Sequence, residues 1–141
     1  MSAANRRRGA DAERAVVTYL RGHGFPDARR YLAGDGRQPG DIDFAPGVCL
    51  EVKDRKSSSW PTWRAQALDE ARPADVVAVV RRERGVADVA LWPCQVDLEQ
   101  WFQQAAGYRV MEADLVECHR TGRPWARMPF GAFAQAMEVA R

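Results

Sequence analysis

Several residue types are scarce in this sequence, and each scarcity excludes a class of protein. Cysteine occurs three times, as Cys49, Cys94 and Cys118, and no two of these form a Cys-x-x-Cys pair. An odd number of widely separated cysteines argues against a disulfide scaffold and against a structural zinc site. Cysteine usage therefore favours a reducing compartment. His23, which lies between two glycines, is better explained by a helix end than by catalysis.

Long apolar runs are also missing. No segment has the length of a bilayer-spanning helix, and the first residues do not resemble a signal peptide. We therefore expect a cytoplasmic protein with no membrane partner. The 141 residues suit one ordinary domain, and a hydrophobic fraction of 46% is enough to form its core.

Lysine is scarce although the chain is basic. There are 19 arginines but only two lysines, Lys53 and Lys56. The charge is unevenly distributed, because residues 1–40 carry eight arginines against four acidic residues, whereas the remainder has a net charge of −2. A basic first part favours a polyanionic partner, although a solvated arginine-rich surface explains it equally well.

Hydrophobic periodicity and turn residues predict the order helix, two strands, helix, two strands, helix. The predicted elements are a helix over 10–22, strands over 41–45 and 48–54 joined by a Pro46-Gly47 turn, a helix over 60–72, strands over 76–80 and 86–92, and helices over 97–106 and 129–139. Residues 108–128 have no clear pattern. The order predicts an α/β domain in which helices flank a small mixed central β-sheet.

The same patterns predict the division of the chain. Residues 1–9 are polar and arginine-rich and should form a flexible basic arm. Residues 10–107 should form the core of the domain. Residues 108–141 should form a C-terminal extension that packs on this core or at a dimer interface.

The most informative segment is 39–56. Alternate side chains of a strand point to opposite faces. The face towards the core should therefore carry Val48, Leu50 and Val52. The opposite face should carry Cys49, Glu51 and Lys53. Charged groups beside a core are costly unless they are paired or bind a metal. Asp41 and Asp43 share a face of the preceding predicted strand, and if the two strands pair as a hairpin, carboxylates from both strands can converge near Lys53.

Such a group suits metal-dependent hydrolysis of a phosphodiester. Mg²⁺ prefers hard oxygen ligands, polarises a phosphoryl oxygen and lowers the pKa of an attacking water. A neighbouring lysine orients that water or neutralises charge on the phosphate. In a chain that otherwise uses arginine, Lys53 indicates that a compact charge is required. The alternative is a surface hairpin whose charges face solvent.

The residues resemble the PD-(D/E)XK nuclease superfamily, through Pro39-Gly40-Asp41 and Glu51-Val52-Lys53. The wider spacing is most similar to the phage and actinobacterial Holliday junction resolvase-like branch, over roughly residues 8–92. The residues that carry this wider likeness are Glu13, Gly40-Asp41-Ile42, Pro46-Gly47-Val48, Trp63, Ala74-Asp75 before the apolar strand, and Arg81-Arg82 after it.

The resemblance implies a restriction-endonuclease-like fold and a Mg²⁺-dependent DNA endonuclease in which Mn²⁺ can substitute. It implies the following roles: Asp41 and Glu51 as metal ligands together with the backbone carbonyl of Val52, Lys53 as the catalytic lysine, and Glu13 as an auxiliary acid. Some relatives place the ligand at the second Asp of such a pair, so Asp43 remains an alternative. We prefer Asp41 because it follows Pro-Gly, as the motif expects.

Further candidates lie around this motif. Gln66 occupies a helix position where the superfamily often carries a glutamine near the site, although an ordinary polar helix residue is an equal alternative. An exposed helical glutamate is the corresponding alternative for Glu13. Trp60 and Trp63 are better explained as core or dimer contacts than as base-stacking platforms. We assign contacts with DNA phosphates to Arg6, Arg7, Arg8, Arg37, Arg55 and Lys56.

From these residues and this resemblance, we expect a metal-dependent endodeoxyribonuclease that is structure-selective on branched DNA, with roles in DNA recombination and repair. A homodimer would present two sites to a junction. Three alternatives stay open: a nuclease acting on linear duplex or single-strand ends, a non-catalytic DNA-binding module of the same fold, and an unrelated α/β protein with a fortuitous motif.

Overall fold

The computed structural model describes residues 2–32, 36, 38–57, 59–104, 114–116 and 124–140. Its helices are α1 (Ala3–Arg21), α2 (Trp60–Glu70), α3 (Leu98–Gln104) and α4 (Phe130–Ala140). Its strands are β1 (Arg29–Arg30), β2 (Ile42–Asp43), β3 (Val48–Lys53), β4 (Val76–Arg81), β5 (Pro93–Asp97), β6 (Asp114–Val116) and β7 (Trp125–Pro129). The predicted α/β class, with helices around a mixed sheet, is confirmed.

The central sheet has five strands in the order β3-β4-β5-β7-β6. Strands β3 and β4 run parallel, joined through α2, and the other neighbours are antiparallel. The parallel pair explains why β4 is continuously apolar, since strands covered on both faces need no polar side. Because β3 is the first strand in this order, it lies at one edge of the sheet.

Two apolar clusters cover the two faces of the sheet. The larger cluster joins β3 and β4 to buried residues of α1 and α4, including Val16 and Phe133. The smaller cluster lies under α2 and contains Cys49, Trp63 and Val79. The predicted alternation of β3 is confirmed, because its even-numbered residues belong to the larger cluster and Cys49 to the smaller one.

Helix α1 begins at Ala3, so the predicted start at residue 10 is wrong. The side chain of Ser2 accepts a hydrogen bond from the amide of Asn5 at 3.2 Å and caps the helix. Alanine and arginine are good helix formers, which allows the helix to continue through the basic segment. The three consecutive arginines that we assigned to a flexible arm are therefore helical, and Arg8 bonds the side chain of Asn5.

The predicted hairpin is also wrong. Strand β2 pairs antiparallel with β1, and β3 pairs with β4, although Gly40 forms an isolated parallel bridge with Leu50. The chain before β2 therefore runs alongside β3 instead of returning from it. Local alternation identified the strands but could not identify their partners, because pairing depends on distant segments.

The second predicted strand pair is shifted along the chain. Residues 89–91 form a 3₁₀ turn that the side chain of Asp88 caps through the amide of Ala90, and the returning strand is β5. The indole of Trp92 donates to the carbonyl of Val86 at 2.8 Å, which ties this turn together. The helices predicted over 60–72 and 129–139 are confirmed as α2 and α4.

The C-terminal part contains strands that the sequence did not predict. Strand β6 lies within residues 108–128, and β7 overlaps the end of this range. Strand β7 pairs with both β5 and β6 in the central sheet. The predicted helix over 97–106 corresponds to α3, and its last two predicted residues lie outside the described part. No helix among the described residues combines the length and apolar character needed to cross a bilayer.

Helix α2 is fixed to the sheet by buried polar contacts as well as by apolar packing. The guanidinium of Arg64 donates to Gln95 Oε1 on β5 at 2.6 Å, and both side chains are buried. The thiol of Cys49 on β3 donates to the carbonyl of Ala67 at 3.6 Å. Burial raises the pKa of this thiol, so Cys49 stays protonated and acts in packing.

Candidate metal and phosphodiester site

Asp41 lies against the outer edge of β3, held by its own backbone and side chain. Its amide donates to the carbonyl of Leu50 at 2.8 Å, and its Oδ2 accepts from the amide of Val52 at 2.8 Å. On the other side of the strand, the carbonyl of Lys53 accepts from Arg82 of the chain after β4. Because carbonyls alternate along a strand, that of Val52 lies on the same edge as Asp41.

Gly40 makes this close approach possible. A Cβ at position 40 would lie 2.6 Å from the carbonyl oxygen of Leu50, and the residue has a φ of +79°. A side chain would therefore meet backbone atoms and a backbone conformation that other residues rarely adopt. The Pro-Gly-Asp sequence thus has a steric basis, since the glycine brings the aspartate against β3.

Asp41, Glu51 and Lys53 line one cavity of about 290 Å³. The predicted site residues Glu13, Val52 and Gln66 line the same cavity. The further lining residues are Asn5, Arg6, Gly9, Ala10, Arg30, Asp54 and Arg55. The structure therefore brings the predicted catalytic and metal-ligating residues together from α1, α2, β3 and the segment before β2.

Lys53 connects β3 to α2 across this cavity. Its Nζ donates to Gln66 Oε1 at 2.8 Å and lies 3.4 Å from Glu51 Oε2. Glu51 is only 2% exposed, and among the described residues no donor lies within hydrogen-bonding distance of its Oε1. A buried carboxylate with an unsatisfied oxygen is costly and is the type of group that a cation stabilises.

The electrostatics of buried Glu51 and half-buried Asp41 follow from this placement. Burial raises the pKa of Asp41 to about 6, although the Val52 amide lowers it, and the negative charge of Glu13 adds to the increase. Burial likewise raises the pKa of Glu51 to about 9, helped by a hydrogen bond with Glu70 and by the charge of Asp41. Lys53 opposes both shifts. Without a cation, the cavity therefore favours the protonated form of Glu51 at neutral pH, whereas Asp41 is protonated only at more acidic pH.

Glu70 belongs to this site, and the sequence analysis missed it. It lines a neighbouring cavity of about 580 Å³ together with Asp41, and its Oε1 accepts from Gln66 Nε2 at 3.1 Å. Its helical spacing from Gln66 contained the signal, because residues four apart on a helix share a face. Having selected Gln66, the sequence analysis could have selected Glu70 as well.

Glu13 is brought into the cavity, where it already has a partner. Its carboxylate pairs with Arg30 of β1 at 2.6 Å, and both side chains are largely buried. Asp54, at the end of β3, is similarly paired with Arg82 and Arg84. These two acidic residues are thus neutralised by arginine, whereas Asp41 and Glu51 are not paired with any arginine of the described residues.

The residues assigned to DNA contacts are distributed around the site. Arg6 and Arg55 line the cavity, whereas Arg7 and Lys56 are exposed outside its lining. Arg8 is exposed and bonds Asn5. Arg37 lies outside the described residues.

Two further residues considered from the sequence, Asp43 and Trp63, do not line the cavity. The carboxylate of Asp43 lies 3.3 Å from Arg29 in the β1–β2 pair and does not line the cavity with Asp41. Of these two aspartates, only Asp41 therefore lines the cavity with Glu51 and Lys53. Trp63 of α2 is buried in the smaller apolar cluster and makes a T-shaped ring contact with Trp60, which fits the core interpretation.

The donor set fits a hard divalent cation. Half-buried Asp41 and buried Glu51 supply carboxylate oxygens, the backbone of Val52 supplies a carbonyl oxygen, and Glu51 Oε1 has no hydrogen-bond partner among the described residues. Among the described residues, no group of three or more His, Cys, Asp or Glu side chains is arranged to hold a metal. Mg²⁺ requires fewer side chains than that, since one or two carboxylates, waters and a substrate phosphate commonly complete its coordination.

Comparison with known proteins gives no relative. No protein-family model matches the chain, and neither a curated protein nor a solved structure is similar to it. The function must therefore be inferred from the residues of the site.

Proposed function

We propose that the protein is a metal-dependent endodeoxyribonuclease with a restriction-endonuclease-like fold. One observation carries the proposal: Asp41, buried Glu51 and Lys53 line a single cavity, although Asp41 comes from a different segment. A surface hairpin with solvated charges would not bury a glutamate or bond a lysine to a second element. The arrangement instead supplies oxygen ligands and a cationic side chain at one point.

Each residue of the site has a chemical task in this proposal. Asp41, Glu51 and the Val52 carbonyl would hold Mg²⁺ or Mn²⁺, which would stabilise charge at the phosphate and lower the pKa of a water molecule. Lys53 holds the attacking water and places a compact positive charge beside the phosphate. The Val52 amide binds one oxygen of the Asp41 carboxylate and so restrains the orientation of this side chain in the cavity lining.

The charge around the cavity favours a nucleic acid as the substrate. Arg6 of α1 and Arg55 after β3 line the cavity beside Lys53. These cations come from different elements and line the same cavity as the carboxylates, so that they can attract a phosphate to this site. We propose branched DNA as the substrate class, a homodimer as the acting form and the cytoplasm as its location, in line with the resolvase-like resemblance.

The test is a cleavage panel with purified protein. Labelled four-way junction, flap, single-strand and linear duplex DNA are incubated with Mg²⁺, Mn²⁺ or EDTA, and the wild type is compared with Glu51→Gln. We expect cleavage that requires the metal, is fastest on the junction and falls by roughly 10²-fold or more in Glu51→Gln.

Glu99→Gln is the matched control, because Glu99 is exposed on α3 and does not line the cavity. This variant should cleave like the wild type. Equal cleavage by Glu51→Gln and Glu99→Gln would overturn the site assignment. Fastest cleavage of linear or single-strand ends would keep the nuclease but change its substrate class.

A further inference from the structure

We propose that Glu70 is a positioning residue of this site: it fixes the side-chain amide of Gln66 so that the amide oxygen holds the ammonium of Lys53. The inference concerns a residue outside the nuclease-like motif. It rests on the proposed function for its effect on rate, but the contacts that carry it exist without substrate.

The three side chains form a continuous hydrogen-bonded chain. Lys53 Nζ donates to Gln66 Oε1 at 2.8 Å, and Gln66 Nε2 donates to Glu70 Oε1 at 3.1 Å. An ammonium can only donate and a carboxylate can only accept. The amide of Gln66 therefore has a single orientation that satisfies both neighbours.

Gln66 needs this help because it is exposed. An exposed glutamine loses side-chain entropy when it is held in one rotamer, and a single exposed hydrogen bond offsets little of that loss. If Glu70 were absent, rotation of the amide by half a turn would place its NH₂ group against the ammonium of Lys53. Glu70 lies one helical turn away on the same face of α2 and removes this second state.

Another role for Glu70 must be separated from this one. Glu70 also forms a hydrogen bond with Glu51, so its charge could act directly on the carboxylates. The two roles differ in what they require. Orientation of Gln66 requires only an acceptor at position 70, whereas a direct electrostatic role requires a negative charge and does not involve Gln66.

The first test is a double-mutant cycle measured as single-turnover cleavage of a four-way junction in Mg²⁺. We expect Glu70→Leu to reduce the rate about tenfold with little change in DNA affinity, the scale of one hydrogen bond. In a Gln66→Leu background the same change should alter the rate by less than about twofold, because the residue through which Glu70 acts is gone. Glu70→Gln, which keeps an acceptor oxygen, should recover most of the activity.

The second test needs no substrate. Side-chain amides are observed by NMR in glutamine-labelled protein, and the Gln66 signal is identified by its loss in Gln66→Leu. Glu70→Leu should move this signal towards the position of a free amide, and Glu70→Gln should move it less. Asp69→Asn is the control, since Asp69 is the exposed neighbour of Glu70 on α2 and should leave the signal unchanged.

The outcomes separate this inference from the proposed function. An unmoved Gln66 signal in Glu70→Leu, or additive losses of rate in the cycle, would overturn the positioning role. Loss of activity in Glu70→Gln as large as in Glu70→Leu would also overturn it, in favour of a direct electrostatic role. If the wild type cleaves no DNA, the nuclease proposal fails, and the NMR result alone decides whether Glu70 orients Gln66.

Discussion

The carboxylate of Asp41 accepts a hydrogen bond from the amide of Val52 at 2.8 Å, across eleven positions of sequence. This bond holds one oxygen of Asp41 at the edge of β3, and Asp41 lines the candidate cavity. Asp43, two residues later, is turned away and pairs with Arg29. The pair of aspartates is therefore divided into one candidate ligand and one surface ion pair.

This division predicts different effects on metal binding. Asp41→Asn should reduce Mn²⁺ affinity by roughly tenfold or more, because a charged ligand is replaced by a neutral one. Asp43→Asn is the matched control and should bind Mn²⁺ like the wild type. Isothermal titration calorimetry measures both affinities. A larger loss of Mn²⁺ affinity in Asp43→Asn than in Asp41→Asn would identify Asp43 as the ligand.

The contact of Gly40 with β3 predicts a steric effect on stability. Gly40→Ala should lower the free energy of unfolding by about 1–3 kcal/mol, because its Cβ would meet the Leu50 backbone. Gly85→Ala is the control: this glycine also has a positive φ, of +80°, but no atom lies within 4 Å of its added Cβ. Urea denaturation compares the two. Equal destabilisation would show that only the backbone conformation matters at position 40.

The raised pKa of Glu51 predicts a pH-dependent stability of the metal-free protein. Its folded pKa, about 9, exceeds the ordinary value of 4.5, so the folded state binds the proton more tightly than the unfolded state. The resulting stabilisation is fully present below the unfolded pKa and is lost as pH rises towards the folded pKa. Asp41, with a pKa of about 6, contributes in the same direction over a narrower range.

The free energy of unfolding in EDTA should therefore fall between pH 5 and pH 9. Glu51→Gln keeps the shape of the side chain but has no proton to lose, so it should be more stable at pH 8 by about 1 kcal/mol or more. Exposed Glu99→Gln is the control and should follow the wild type. Stability that rose with pH in the wild type would contradict the assigned direction of the shift.

The contacts of Lys53 predict that arginine cannot replace it. Lys53→Arg keeps the charge, but a planar and longer guanidinium does not fit between Glu51 and Gln66 as an ammonium does. We expect a loss of roughly 10²-fold in single-turnover cleavage with little change in DNA affinity. Lys56→Arg, at an exposed position outside the cavity lining, should be neutral. Cleavage by Lys53→Arg within a few-fold of wild type would reduce Lys53 to a general electrostatic role.

The position of Arg6 in the cavity lining predicts a contribution to DNA binding. Arg6→Ala should reduce the slope of log affinity against log salt by about 1, the effect of one phosphate contact. Arg14→Ala is the control, because Arg14 pairs with Asp11 and does not line the cavity. Fluorescence anisotropy across a salt series measures both slopes. Point substitutions are preferable to removal of residues 1–8, which would delete the first turns of α1.

The sequence by itself determined which faces of β3 are apolar and which carry the charged residues. A strand alternates with a period of two whatever its neighbours are, so Glu51 and Lys53 were assigned correctly to the side opposite Leu50. Helix α2 was also predictable, because its N-terminal proline and its length are local features. The rarity of lysine in the chain selected Lys53 before any contact was known.

Only the tertiary structure decided how Asp41 reaches that strand and what surrounds it. The sequence predicted a hairpin, but Gly40 and Asp41 instead run along the open edge of β3 while β4 pairs with its other edge. Strand partners and ion pairs such as Glu13 with Arg30 depend on the relative free energies of contacts between distant segments. Local periodicity carries no information about those contacts, which is why the partners of Asp41 and Glu13 were found only in the folded chain.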